Sequence, residues 1–118
     1  MTKTEKYRER DAGRLGEFEI MVLLAVLRLE SDAYGVTIRD ELESKTSRSF
    51  TLGTIYKSLG RLESKGFLLT RVSEPEAVRG GRRKKLYRIS ATGLQAVNRS
   101  LNDLWSLTRG LDLEWQTS

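Results

Sequence analysis

The chain is 118 residues long with a formal net charge of +5, enough for one domain with a real core. It contains neither cysteine nor histidine. That excludes disulfides, thiolate or imidazole metal sites, and Cys–His or Ser–His catalysis. No metal, cofactor or enzymatic activity is expected, because carboxylates, lysines, tyrosines and serines form no convergent cluster in the pattern. The basic excess lies ahead of residue 91, so the front of the chain is the part suited to an acidic partner.

Residues 1–14 are polar and basic on balance. They read as a frayed arm or a short extra helix. No apolar segment follows closely enough for a signal peptide. The longest unbroken apolar run, Ile20–Leu27, is far short of the roughly 20 residues that span a bilayer. No membrane partner and a cytoplasmic location are expected. Leu15–Leu29 predicts the first helix. It is apolar on most sides, which calls for burial on most sides, by its own domain and by another element such as a partner chain. A loop, Glu30–Ala33, follows. Tyr34-Gly35 then precedes a second helix from Val36 to about Lys45, with Ile38 and Leu42 inward.

After the polar connection Thr46–Ser49, the stretch Phe50–Gly66 predicts a third helix. The Thr51 hydroxyl suits the N-cap, and Gly66 suits the left-handed position past the end. At about 100° per residue, Leu52, Ile55, Leu59 and Leu62 share one side. Gly53, Tyr56, Lys57, Gly60, Arg61 and Ser64 share the other. An interior helix glycine costs about 1 kcal/mol relative to alanine, yet Gly53, Gly60 and Ser64 keep this face smooth between Tyr56 and the cations. Such a face fits a phosphate-walled groove. It also fits an ordinary solvated surface. The order short helix, turn, helix is that of a helix-turn-helix, whose second helix reads the groove. Candidates for base contact are Thr54, Tyr56, Lys57 and Ser58. Lys57 and Arg61 are candidates for phosphate contact.

Phe67–Ser73 and Lys84–Ser90 predict a β-hairpin, with Leu86 and Arg88 on one side and Tyr87 and Ile89 on the other. Its tip carries Pro75 and Gly80-Gly81. From Arg79 to Arg88 the chain is rich in cations and has no acidic residue. Arg79, Arg82, Arg83 and Lys84 are therefore candidates for phosphate or minor-groove contact. A solvated charge run is the alternative.

Ser90 can cap a last helix from Ala91 to about Gly110 or beyond. Leu94, Val97, Leu101 and Leu104 are spaced as the a and d positions of a heptad, and Leu107 lies beside the polar Thr108. Leu111 and Trp115 would resume the register. The stripe is too long for the front domain to cover, which predicts a dimer in which this helix packs on its copy and on the first helix. Intramolecular packing is the alternative.

The fold class expected is mainly α with a small β-hairpin: a winged helix-turn-helix plus a C-terminal dimerisation helix. The divisions are an N-terminal arm at 1–14, the DNA-binding domain at 15–90 and the dimerisation helix at 91–118. Tyr34-Gly35, Gly53-Thr54-Ile55-Tyr56, Arg61-Leu62-Glu63, Gly66-Phe67, the run from Gly81 to Ile89, and Thr92-Gly93 stand in a telling order and spacing. In these motifs the chain resembles the PadR family of transcriptional regulators in its short form. Many relatives carry proline after the tyrosine of the third helix; here Lys57 stands there and adds charge. The resemblance implies a homodimeric repressor that binds double-stranded DNA. Thr54, Tyr56 and Lys57 would enter the major groove, with Arg82, Arg83 and Lys84 holding the wing. It also implies a small aromatic effector stacked on Trp105 at the dimer centre; Trp105 can equally serve dimer packing. A different class of function is a winged-helix module that binds protein or RNA and no operator.

Overall fold

Local capping chemistry sets where each helix starts. The structure, a computed structural model, describes residues 14–74 and 83–113. The expectations placed on the arm before Arg14, on Arg79, Arg82 and the hairpin tip, and on Trp115 lie outside the described residues. The elements in chain order are α1 (Glu17–Leu29), a 3-10 turn (Glu30–Asp32), α2 (Gly35–Lys45), α3 (Leu52–Ser64), β1 (Leu68–Val72), β2 (Lys85–Ile89) and α4 (Ala91–Thr108). This is the expected mainly helical fold with one hairpin.

Two helices are closed by a third-position side chain reaching back. The Glu19 carboxylate accepts from the Gly16 N–H at 3.1 Å, and the Thr37 hydroxyl accepts from the Tyr34 N–H at 3.0 Å. The other two are closed by the expected cap hydroxyls. Thr51 accepts from the Thr54 N–H at 3.1 Å and Ser90 from the Gly93 N–H at 3.0 Å. Each bond satisfies an amide that the helix itself leaves open. At the far end of α3, Gly66 has φ +79°. There the Gly66 N–H donates to the Glu63 carbonyl at 3.0 Å and the Phe67 N–H to the Leu62 carbonyl at 2.9 Å. That pair of bonds is the Schellman closure, and it turns the chain directly into the wing.

The core gathers Val22, Leu23 and Val26 of α1, Ile38 of α2, Ile55, Leu59 and Leu62 of α3, Leu68 of β1 and Val97 of α4. α1 is the central post of the domain, with α2, α3, β2 and α4 all packed on it. Ion pairs pin its polar edge: Arg28–Glu41 at 2.6 Å, Arg48–Glu17 at 2.8 Å and Lys65–Glu19 at 2.9 Å. Phe18 and Phe50 stack with ring centroids 5.3 Å apart, fixing the entry to α3 against α1.

β1 and β2 pair antiparallel with Leu68 opposite Ile89 and Val72 opposite Lys85. The Tyr87 N–H also donates to the Ala33 carbonyl at 2.9 Å, so the strand that carries the wing is tied to the start of the helix-turn-helix. α4 begins hard against the α3–β1 corner. Ser90 Oγ donates to the Gly66 carbonyl at 2.7 Å. A Cβ on Gly93 would run into the Phe67 carbonyl. Gly93 therefore answers a close backbone approach.

One boundary corrects the sequence expectation. α4 stops at Thr108, where Arg109 turns extended (φ −62°, ψ 134°) and Gly110 takes φ +82°. Leu111 does not continue the α4 register. The heptad pattern ran on past a residue whose backbone had already left the helix.

Candidate nucleic-acid interface

α3 divides into the two faces that its sequence spacing requires. Ile55, Leu59 and Leu62 are fully buried, while Gly53, Tyr56, Lys57, Gly60, Arg61 and Ser64 are all exposed. A Cβ on Gly60 would meet nothing within 4 Å, and on Gly53 only the Thr51 hydroxyl at 4.0 Å. Neither glycine is demanded by packing within the chain. Their cost in helix propensity therefore has no return inside the domain. Lys57 and Arg61 lie one turn apart and make no ion pair among the described residues. Thr54 is exposed in the first turn, its hydroxyl accepting from that of Thr51 at 2.9 Å.

Ser58 departs from expectation. It is 4% exposed, and its hydroxyl has no hydrogen-bond partner. Its position explains this: it is three residues after Ile55 and four before Leu62, which puts it on the inward face. It is removed from the candidates for base contact.

Tyr56 is half exposed. Its ring lies over Gly35 so closely that a Cβ there would sit 2.5 Å from Cε1, Cζ and Oη. The wing is joined to the same region. Lys84 Nζ stands 4.5 Å from the centroid of the Tyr34 ring and donates to its hydroxyl at 3.5 Å. From α3, Glu63 accepts from Lys85 Nζ at 3.0 Å and from the Thr70 hydroxyl at 3.4 Å, so one carboxylate holds both strands. The hydrogen bond to Glu63 raises the Lys85 pKa above its ordinary value. Burial is the main cause that pushes the Tyr87 phenol up. The wing therefore leaves the domain from a braced root. Arg83 is exposed two residues ahead of β2, and Arg71 and Arg88 stand exposed on the hairpin's outer face. Arg71 gains its place from the strand register, opposite Leu86. Gly35 and Glu63 are the contributors that composition and periodicity did not single out as site residues. The signals for Gly35 were its place in the Tyr34-Gly35 pair of the family resemblance and a glycine at a helix start where no turn needs it.

The proposed dimer seam splits. Val97 is 2% exposed and Leu101 packs on the subunit's own core, so these residues have partners within one chain. Leu94 is partly open, Leu104 and Trp105 are each 56% exposed, and Leu107 is 74% exposed. Beside them α1 and α4 enclose a cleft of about 490 Å³ lined by Leu15, Ile20, Met21, Leu104 and Leu107 among others. Among the described residues no group of acidic side chains could hold a metal ion, and no helix is long and apolar enough to cross a membrane.

The description "Transcriptional regulator PadR-like family" matches residues 23–99. Among curated proteins, none matches the chain. Solved structures do. A PadR family transcriptional regulator from Eggerthella lenta is 22% identical, with TM-score 0.65, over 92% of this chain and 84% of that one. A PadR family transcription regulator from hypervirulent Clostridium difficile is 22% identical, with TM-score 0.65, over 78% of this chain and 92% of that one. The complex structure of hsRosR-S1 is 27% identical, with TM-score 0.63, over 85% of this chain and 81% of that one. The family match covers α3, the wing and the start of α4, the elements that build the site. The chain belongs to the PadR-like family of transcriptional regulators.

Proposed function

We propose that the protein is a homodimeric repressor that binds double-stranded DNA at a specific operator. The observation that carries this reading is the outer face of α3: smooth at Gly53, Gly60 and Ser64, edged by Lys57 and Arg61, and exposed beside a braced wing. Lys57, Arg61, Arg79, Arg82, Arg83 and Lys84 supply affinity by neutralising phosphates. Thr54, Tyr56 and Lys57 read base edges in the major groove. The second subunit is inferred from the distal half of α4. Leu104 and Leu107 line the cleft against α1, and Trp105 stands exposed on the other side of Leu104; exposed apolar patches of this kind mark association surfaces. A copy of α4 has the matching apolar face, and two-fold pairing is the commonest way for such a face to be covered. Trp105 then lies near the two-fold axis, where its indole face suits a planar aromatic effector that loosens the operator complex. A dimer of this kind presents two α3 helices to successive major grooves about 34 Å apart. The cytoplasm, where the chromosome is reached directly, is the fitting location.

Genome-wide recovery of bound DNA, followed by sedimentation of the protein with the recovered duplex, tests the reading. The expected result is a near-palindromic site with half-sites one turn apart, bound by one dimer. A monomer at micromolar concentration that ignores every duplex contradicts it. Selective binding of RNA, with no duplex preferred, favours the rival winged-helix interaction module.

A further inference from the structure

We infer that Gly35 is a positioning residue for DNA recognition: it is the Cβ-free seat that holds the Tyr56 ring in its reading orientation. The inference rests on the DNA-binding role proposed above and deepens it.

Nothing in the backbone asks for glycine at position 35. It is the first residue of α2 and is not among the residues with positive φ. Glycine is the poorest helix former after proline. What does need it is the side chain above it. The Tyr56 ring rests on the Gly35 backbone, and an added Cβ would stand 2.5 Å from three of its outer atoms. Gly35 is buried, yet the ring that covers it is half exposed. One side of Tyr56 therefore belongs to the fold and the other faces outward on α3.

The seat is itself held in place. The Thr37 hydroxyl donates to the Asp32 carbonyl at 2.6 Å and accepts from the Tyr34 N–H at 3.0 Å. These bonds anchor the first turn of α2 to the 3-10 turn before it. The backbone under the ring is thus fixed on both sides, and α3 is fixed by its own cap and core residues. Tyr56 has only two side-chain torsions. A ring seated in advance loses little freedom on binding, and such pre-organisation improves affinity for the partner that fits it. A contact that matters for base reading weakens operator binding when it is lost, and leaves phosphate-driven nonspecific binding in place.

Adding a methyl at position 35 need not unfold the domain, because the atoms it meets are the far end of a side chain that can swing outward. The effect should fall on Tyr56 and pass through it. Four proteins are compared as full chains: wild type, Gly35→Ala, Tyr56→Ala and the double variant. Each is titrated with the recovered operator duplex and with an unrelated duplex, and the Gly35 Hα resonances are followed by NMR. In the wild type those resonances should carry a ring-current shift that disappears in Tyr56→Ala. Gly35→Ala should stay folded and lower the ratio of operator to unrelated binding by roughly two- to tenfold, the range expected for releasing one ordered side chain. On the Tyr56→Ala background it should change that ratio no further. Equal losses on both backgrounds overturn the inference. So does an unshifted Gly35 signal in the wild type, or an unfolded Gly35→Ala protein. A wild type that shows the shift but no preference for any duplex sinks the functional reading, and the role in selection with it, while the seat itself stands.

Discussion

The Ser58 hydroxyl is buried without a partner in the middle of α3. An unmet buried hydroxyl forfeits its hydrogen bonds to water and gains nothing in return. Ser58→Ala should therefore raise stability, by about 1 kcal/mol, seen as a higher urea midpoint at unchanged slope. A lower midpoint would mean that the hydroxyl is bonded after all. This residue also marks where sequence reading stops. Thr51, Ser90 and Gly66 were legible because a cap or a left-handed closure depends on a few neighbouring residues. Ser58 was not, because its polar side chain argued for the outer face while its spacing from Ile55 and Leu62 placed it inward. Burial was decided by the helix period. Gly35 was visible as part of a motif, but its contact was not, because its partner, Tyr56, is far away in the chain and only the fold brings the two together.

Among elements, the junction of α3 with the wing governs how the interface is presented. Glu63 spans both strands through Thr70 and Lys85, and Tyr87 packs beneath them in the core. As an exposed ion pair, Glu63–Lys85 contributes little stability by itself; its value is geometric. The titrating groups give the junction a pH signature. Lys85 is raised, chiefly by its hydrogen bond to Glu63, and Tyr87 is raised, chiefly by burial. Both folded values lie above the unfolded ones, so the folded state holds these protons longer. Their stabilisation is complete below about pH 10 and is lost as pH climbs through the folded values. Thermal midpoints should decline above that point. Tyr87→Phe should lessen the decline, because a phenylalanine has no proton to lose. An identical alkaline decline in Tyr87→Phe would remove Tyr87 from the explanation. The hairpin itself was legible from its alternation and its turn residues. The brace was not, since an i-to-j pairing between helix and strand leaves no period to detect. The end of α4 was misread for a related reason: apolar spacing persists through Leu111, but Arg109 and Gly110 have already broken the helix.

Along the chain, charge and apolar surface are sorted apart. Lys57 and Arg61 of α3 and Arg83 ahead of β2 are exposed, and the exposed apolar side chains of Leu104, Trp105 and Leu107 lie on the last helix. That division follows the chain order, with a basic front and a near-neutral tail, which is why the class of protein was readable before any fold was known. On the proposed reading, two cationic α3 faces, joined through α4, neutralise phosphates on one duplex. The most direct test is the salt dependence of duplex binding for the wild type and for Lys57→Ala/Arg61→Ala. Each phosphate contact contributes about 0.9 to the slope of log affinity against log salt. Two cations lost from each of two subunits should reduce the slope by between about 3 and 4. A slope that is the same in both proteins would show that the α3 face does not meet the DNA backbone.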